Sequence, residues 1–223
     1  AIELNPEAHF GREVYQKLLV EYVLEQAKKK GRAVLPLGEE SEEFTGGEPS
    51  PFYEFLRQKG MIVPSEHRYK KDAPVNADVQ KAIKGVLGMM RFGNYNSPVL
   101  LEALGDLLKH SGGYQAGRQL AARAYLKASY EVKDEAVADI YRSKAGNALN
   151  MQTNGRVGDF FTLTDLEAEF KKELEEASQF VAQIQLDEAI WIREGKSLDD
   201  EFSKKYFKSP KMSVRKQPTT QYD

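Results

Sequence analysis

Apolar side chains recur at intervals of three and four positions through most of this chain. This spacing lines one face of an amphipathic α-helix. A clear stripe of this kind runs through Val79, Ile83, Val86, Leu87 and Met90. No segment shows the alternation of apolar and polar residues that is typical of a half-buried strand. The pattern therefore predicts an all-α fold.

Residues that begin and end helices divide the chain into elements. Asn5 before Pro6 and Ser50 before Pro51 are helix starts, because an N-cap side chain satisfies free backbone N–H groups and proline fits the first turn. Basic residues followed by Gly31 end the first helix. Further helices or helix pairs are expected over 50–60, 76–93, 97–129, 132–152, 164–195 and 197–207.

Two stretches rich in proline and glycine, 31–50 and 61–75, have no sustained period and are predicted to be long loops. We expect one all-helical domain over 1–207 and a flexible tail over 208–223, because the tail has few apolar residues to bury. The chain begins with Ala1 and not Met, which indicates processing. A cytoplasmic protein and an exported one whose signal has been removed both stay open.

The helix expected over 164–195 has a sequence signal at its start and a long apolar stripe. Thr164 and Glu167 have the spacing of a capping box, in which both side chains accept from free backbone N–H groups. At 1.5 Å per residue the helix would be roughly 45 Å long. We expect that it could pair two copies in a homo-oligomer. Its stripe consists of Leu166, Phe170, Leu174, Ala177, Val181 and Ile184.

Composition excludes several classes of function. The charges of the 32 basic residues nearly cancel those of the 34 acidic ones. The protein therefore has no overall positive potential that would attract nucleic acid, and no specific nucleic-acid partner is expected. No run of about 18 apolar residues is present, which argues against a transmembrane segment. The chain has no cysteine and therefore no thiolate nucleophile or cysteine metal site.

No motif of a known chemistry is present either. His9, His67 and His110 are the histidines of the chain, and no two of them have the helical spacing of metal ligands. Phosphate-binding loops, nucleophile elbows and dinucleotide fingerprints are absent from the sequence. We predict no catalytic residue, no metal and no cofactor, and we favour a binding protein over an enzyme.

The helix pair over 97–129 combines small and large residues at fixed spacing. Its markers are Leu104-Gly105-x-x-Leu108 and then Ala121-x-x-x-Tyr125-x-x-Ala128. This spacing resembles the tetratricopeptide repeat and its alanine-rich Sel-like relatives, and a second unit can be sought over 132–152. Small residues at Gly105 and Ala121 would let two helices approach closely, with Tyr125 filling the gap between them.

The resemblance implies helical hairpins stacked as a right-handed array that binds another protein or peptide. An irregular bundle of the same helices is the alternative. Arg123, Arg142 and Asn150, on the polar sides of consecutive helices, are the predicted binding residues, because arginine and asparagine can hold peptide carboxylates. The competing hypothesis is a small-ligand protein or enzyme with a carboxylate and histidine site near the 31–75 loops.

Overall fold

Helices account for most of the chain that the structure, a computed structural model, describes: residues 12–32, 34–38, 50–63, 76–111, 116–150 and 162–207. These residues contain no strand, which confirms the all-α prediction. No helix among them combines the length and the apolar character needed to cross a membrane. The helices are α1 (Arg12–Lys30), α2 (Pro51–Gln58), α3 (Ala77–Phe92), α4 (Pro98–Leu108), α5 (Ala116–Glu131), α6 (Glu135–Asn150), α7 (Leu163–Arg193) and α8 (Leu198–Tyr206).

The chain divides into two compact units, Ala1–Phe170 and Lys171–Asp223. The first unit contains α1 to α6 and the first turns of α7, and the second contains the rest of α7 and α8. A single domain over 1–207 stays a prediction. The tail at 208–223, most of the two predicted loops and the Asn5 helix start lie outside the described residues.

Several helix ends have the residues that the sequence indicated. Gly31 and Gly60 follow α1 and α2 with φ of 71° and 72°, in the left-handed region that glycine adopts without a steric penalty. At the start of α3 the Asn76 side chain accepts from the backbone N–H groups of Asp78 and Val79. The predicted ends of α1 and α2 and the predicted start of α3 are confirmed.

The capping box predicted for α7 is wrong: the box lies two residues earlier in the chain. Thr162, not Thr164, forms the box: its hydroxyl accepts from the Asp165 N–H at 3.1 Å, while the Asp165 carboxylate accepts from the Thr162 N–H at 3.3 Å. Glu167 instead accepts hydrogen bonds from Arg142 and Tyr130. Both threonines have a carboxylate three residues later, so spacing alone did not distinguish them.

α4 lies at the centre of the first unit, where it packs against α2, α3 and α5. α5 also packs along α6, and α1 packs mainly against α3. The core combines aliphatic residues with tyrosines that are almost completely buried. Its largest fully buried hydrophobic side chains are Tyr22, Phe52, Leu56, Val79, Val86, Leu107, Tyr125, Leu126, Tyr141 and Leu166.

The approach of α4 and α5 depends on Gly105, as the sequence predicted. A Cβ atom built on Gly105 would lie 2.6 Å from Cε1 of the Tyr125 ring. Ala121 is also fully buried on the same helix as this ring. The ring thus occupies the space that any larger residue at 105 would need, because protein interiors have no spare volume of this size.

We expect Gly105→Ala to lower the free energy of unfolding by about 2 to 3 kcal/mol, because the new methyl group overlaps a buried ring. Gly146→Ala is the matched control, since its nearest neighbour would be a Leu163 methyl carbon at 3.8 Å. That change should stabilise α6 by about 0.5 to 1 kcal/mol through helix propensity. Urea denaturation measures both. Equal stability of the two variants would contradict the close approach.

Candidate functional site

A cleft of about 1310 Å³ lies beside α6 in the first unit. We call it the α6 groove. One group of lining residues belongs to the end of α1 and the segment that follows it: Lys30, Arg32, Val34, Leu35 and Pro36. A second group belongs to the start of α4, the end of α5, the turn between α5 and α6, and α6 itself: Pro98, Glu131, Val132, Lys133, Asp134, Val137, Asp139, Ile140, Ser143, Lys144 and Asn147.

The groove combines apolar contact area with charges of both signs. Ile140 is 46% exposed and contributes aliphatic surface to the groove. Its basic side chains are Lys30, Arg32, Lys133 and Lys144, and its acidic side chains are Glu131, Asp134 and Asp139. Such a surface can hold a ligand through apolar contacts and orient it by its charges.

A buried carboxylate lies behind the groove. Glu102 on α4 is 1% exposed and receives two hydrogen bonds at each oxygen. Oε2 accepts from the Leu37 N–H and the Tyr141 hydroxyl, both at 2.8 Å. Oε1 accepts from the Gly38 N–H at 2.9 Å and from the Lys144 ammonium at 3.0 Å. These four donors replace the water that a carboxylate loses on burial.

A second buried carboxylate lies one helical turn later on the same face of α4. Asp106 accepts from the Phe52 N–H at 2.8 Å and from the Tyr125 hydroxyl at 2.6 Å. Phe52 is in the first turn of α2, whose N-cap residue Ser50 makes no side-chain cap. Asp106 therefore satisfies a free N–H group of α2 from another helix and places a negative charge at its positive end.

The Lys144 ammonium connects the two carboxylates with the groove. It lies 3.0 Å from Glu102 and 3.8 Å from Asp106, donates to the Gly38 carbonyl at 3.2 Å, and belongs to a residue that lines the groove. Burial raises the pKa of the Asp106 carboxyl, and the charge of Glu102 adds to this rise, while Lys144 opposes it. An ionised lysine between two acids lowers the cost of burying them together.

Two tyrosines beside this cluster differ in how their hydroxyl groups are bonded. Burial, together with the neighbouring acids, raises the pKa of Tyr22 and of Tyr141 far above the ordinary value of 10.0. The Tyr141 hydroxyl donates to Glu102. The buried Tyr22 hydroxyl has no hydrogen-bond partner in the part of the chain that the structure describes. Removal of the two hydroxyls should therefore have different effects.

We expect Tyr141→Phe to destabilise the protein by about 2 kcal/mol, because it removes a hydrogen bond to a buried charge. Tyr22→Phe should leave stability unchanged or raise it, because it removes a buried polar group that lacks a partner. The two variants lose the same atom from the same type of residue. Denaturant titration of both variants measures the difference in their free energies of unfolding. A loss of stability in Tyr22→Phe would show that the Tyr22 hydroxyl does make a hydrogen bond.

Two of the predicted binding residues, Arg123 and Arg142, do not line the groove. Arg142 makes a bidentate ion pair with Glu167, in which Nη1 lies 2.8 Å from Oε1 and Nη2 lies 2.6 Å from Oε2. These hydrogen bonds raise the pKa of the Arg142 guanidinium. Arg123 lies 3.8 Å from Glu169 and contacts the Gln119 carbonyl. The structure thus places both arginines against the first turns of α7. The side chain of Asn150 lies outside the described residues, and the binding role of all three stays a prediction.

The histidine with a described position makes a local structural contact. His110 Nε2 accepts from the Ser50 N–H at 3.2 Å, lies 3.2 Å from the Ser50 hydroxyl, and its ring stacks on Tyr53. The contact joins the end of α4 to the start of α2. Within the described ranges no three acidic or histidine side chains are grouped as a metal ion requires.

Sequence reasoning missed the residues that matter most here, although a signal was present. Glu102 and Asp106 are four residues apart in a helix that is otherwise almost entirely apolar. Two acids at this spacing share one face, and in such a helix that face is buried. Lys144 carried no comparable signal, because an isolated lysine on an amphipathic helix is ordinarily exposed.

Comparison with known proteins gave no match, whether with protein-family models, with curated proteins or with solved structures.

Proposed function

We propose that the chain is a protein- or peptide-binding module with no chemistry of its own, and that the α6 groove holds a peptide segment of the partner. The observation that carries the proposal is the groove itself, a cleft of about 1310 Å³ with an exposed isoleucine and charges of both signs. Its volume exceeds the roughly 300–1,000 Å³ of most small-molecule sites. An extended peptide fits a cleft of this size and character.

The proposed occupant is a peptide with an apolar side chain between an acidic and a basic one. The apolar side chain would contact Ile140 and Val34, where aliphatic surface lines the groove. An acidic group would face Arg32, and a basic group would face Asp139. The opposite charges fix the direction in which the peptide lies more than they strengthen its binding.

The surroundings of the two buried carboxylates favour a structural role for them over a catalytic one. Catalytic acids need access to a reacting group. Glu102 and Asp106 are almost completely buried, and backbone, tyrosine and lysine donors occupy their oxygens. We therefore assign them a structural role and not a role in chemistry. The proposed resemblance to helical repeats is consistent with a binding module, since such modules bind on grooves of this kind.

A peptide library displayed on phage tests the proposed function. We expect panning on the wild-type protein to select peptides that share an apolar residue flanked by charges. Ile140→Asp should abolish their binding, because it places a charge in the apolar part of the groove. Leu120→Asp is the matched control, since Leu120 is 51% exposed on α5 and does not line the groove. Selection of no peptide, or equal binding by both variants, would reject the proposal.

A second candidate function is self-association through α7, favoured by an apolar stripe in the second unit. Leu174, Ala177, Val181 and Ile184 are spaced by three, four and three residues, and Val181 is 52% exposed. This is the spacing of a coiled-coil seam, which pairs with a helix of the same spacing. The occupant we propose is α7 of a second copy, because the chain itself supplies such a helix.

Sedimentation equilibrium tests this candidate. We expect the wild-type chain to form dimers at micromolar concentration and Val181→Asp to be monomeric, because a charge at a seam position is buried without a partner. Leu24→Asp, at a side chain that is 64% exposed on α1, is the control and should leave the dimer intact. A wild-type monomer at high concentration would rule out this candidate without affecting the groove.

A further inference from the structure

One side of the α6 groove consists of backbone that forms no helix or strand. Residues 34–38, which we call the strap, run from the end of α1 toward α2. Val34, Leu35 and Pro36 line the groove, whereas Leu37 and Gly38 are buried behind it. A segment without regular hydrogen bonding needs other partners to hold one position. The strap therefore forms part of the wall of the groove.

Those partners are charged side chains of other helices. The Glu102 carboxylate accepts from the N–H groups of both Leu37 and Gly38. The Lys144 ammonium donates to the Gly38 carbonyl at 3.2 Å, and the Lys30 ammonium donates to the Pro36 carbonyl at 2.9 Å. Hydrogen bonds to charged groups are about twice as strong as neutral ones. The strap is therefore held from α1, α4 and α6 at once.

Packing restricts the strap at the same end. A Cβ atom on Gly38 would lie 2.3 Å from Cβ of Pro51 and 2.7 Å from the Tyr22 hydroxyl. Gly38 thus has no room to move toward α2. Away from α2, its N–H group is fixed by Glu102. The carboxylate and the close packing together define one position for this end of the strap.

We propose that Glu102 is a positioning residue for the α6 groove: its carboxylate latches the strap and thereby sets the shape of the peptide site. This inference rests on the proposed function, because it assigns a residue to the same groove. Glu102 does not line the groove and acts only through the strap. A carboxylate is required because its two oxygens accept from four donors. A glutamine would replace one of these oxygens with an NH2 group, whose two N–H donors would face other donors and could not accept from them.

Asp106 provides an internal comparison. It is buried one turn later on the same helix and is also close to Lys144, but its backbone contact is with Phe52 in α2. Loss of Glu102 should therefore release the strap, whereas loss of Asp106 should release the start of α2. A general loss of stability would affect both segments alike.

Amide hydrogen exchange, measured residue by residue by NMR, tests the latch. We expect Glu102→Gln to speed exchange at Leu37 and Gly38 about tenfold or more relative to Phe52, the size expected for loss of a charged hydrogen bond. Asp106→Asn should give the opposite pattern. If the glutamine variant does not fold, Glu102→Asp takes its place: it keeps the charge but shortens the side chain, and the same exchange pattern is expected. Uniform acceleration at all three amides, or none at the strap, would overturn the latch.

Affinity for a phage-selected peptide is the second readout. We expect Glu102→Gln to weaken binding about tenfold or more, because the strap would no longer hold one conformation and binding would have to order it. Asp106→Asn should bind normally. Unchanged peptide affinity in Glu102→Gln would reject the latch while leaving the peptide site intact. If the library yields no peptide, the proposed function fails, and the exchange pattern still decides whether Glu102 holds the strap.

Discussion

The arrangement of helices in the first unit depends on two carboxylates of α4 that are buried in the core of this unit. Glu102 and Asp106 lie one turn apart on the same face, and each holds a different segment by its backbone N–H groups. A buried acid is tolerated only when donors replace its water. Lys144 from α6 and tyrosines from α5 and α6 supply the remaining donors. The cluster therefore fixes four helices and the strap relative to one another.

Tyr125 shows how apolar packing and this polar cluster support each other. Its ring fills the space left by Gly105, its hydroxyl donates to Asp106, and the Lys144 ammonium lies 5.4 Å from the ring centre. A shift of α5 would disturb all three contacts together. Close packing thus holds the donors at the distances that the buried charges require, and the charges in turn make one arrangement of the helices preferable to others.

The groove follows from this arrangement and not from any motif. Its lining residues come from four helices (α1, α4, α5 and α6), from Arg32, from the turn between α5 and α6, and from the strap. Local patterns predicted the helices because amphipathic spacing and capping residues act within a few turns. They did not predict that Arg142 pairs with Glu167, or that Thr162 and not Thr164 begins α7, because the choice between similar residues was made by contacts between helices.

By itself the sequence determined the helical class, the ends of α1, α2 and α3, and the close approach of Gly105 to Tyr125, since each depends on neighbours in the chain or on one small residue in an apolar stripe. Only the tertiary structure decided that Glu102, Asp106 and Lys144 meet, and that Glu102 and Lys144 hold the strap beside α6. The carboxylates and the lysine are 42 and 38 residues apart in the chain, and burial of a charge depends on all the donors that folding brings to it.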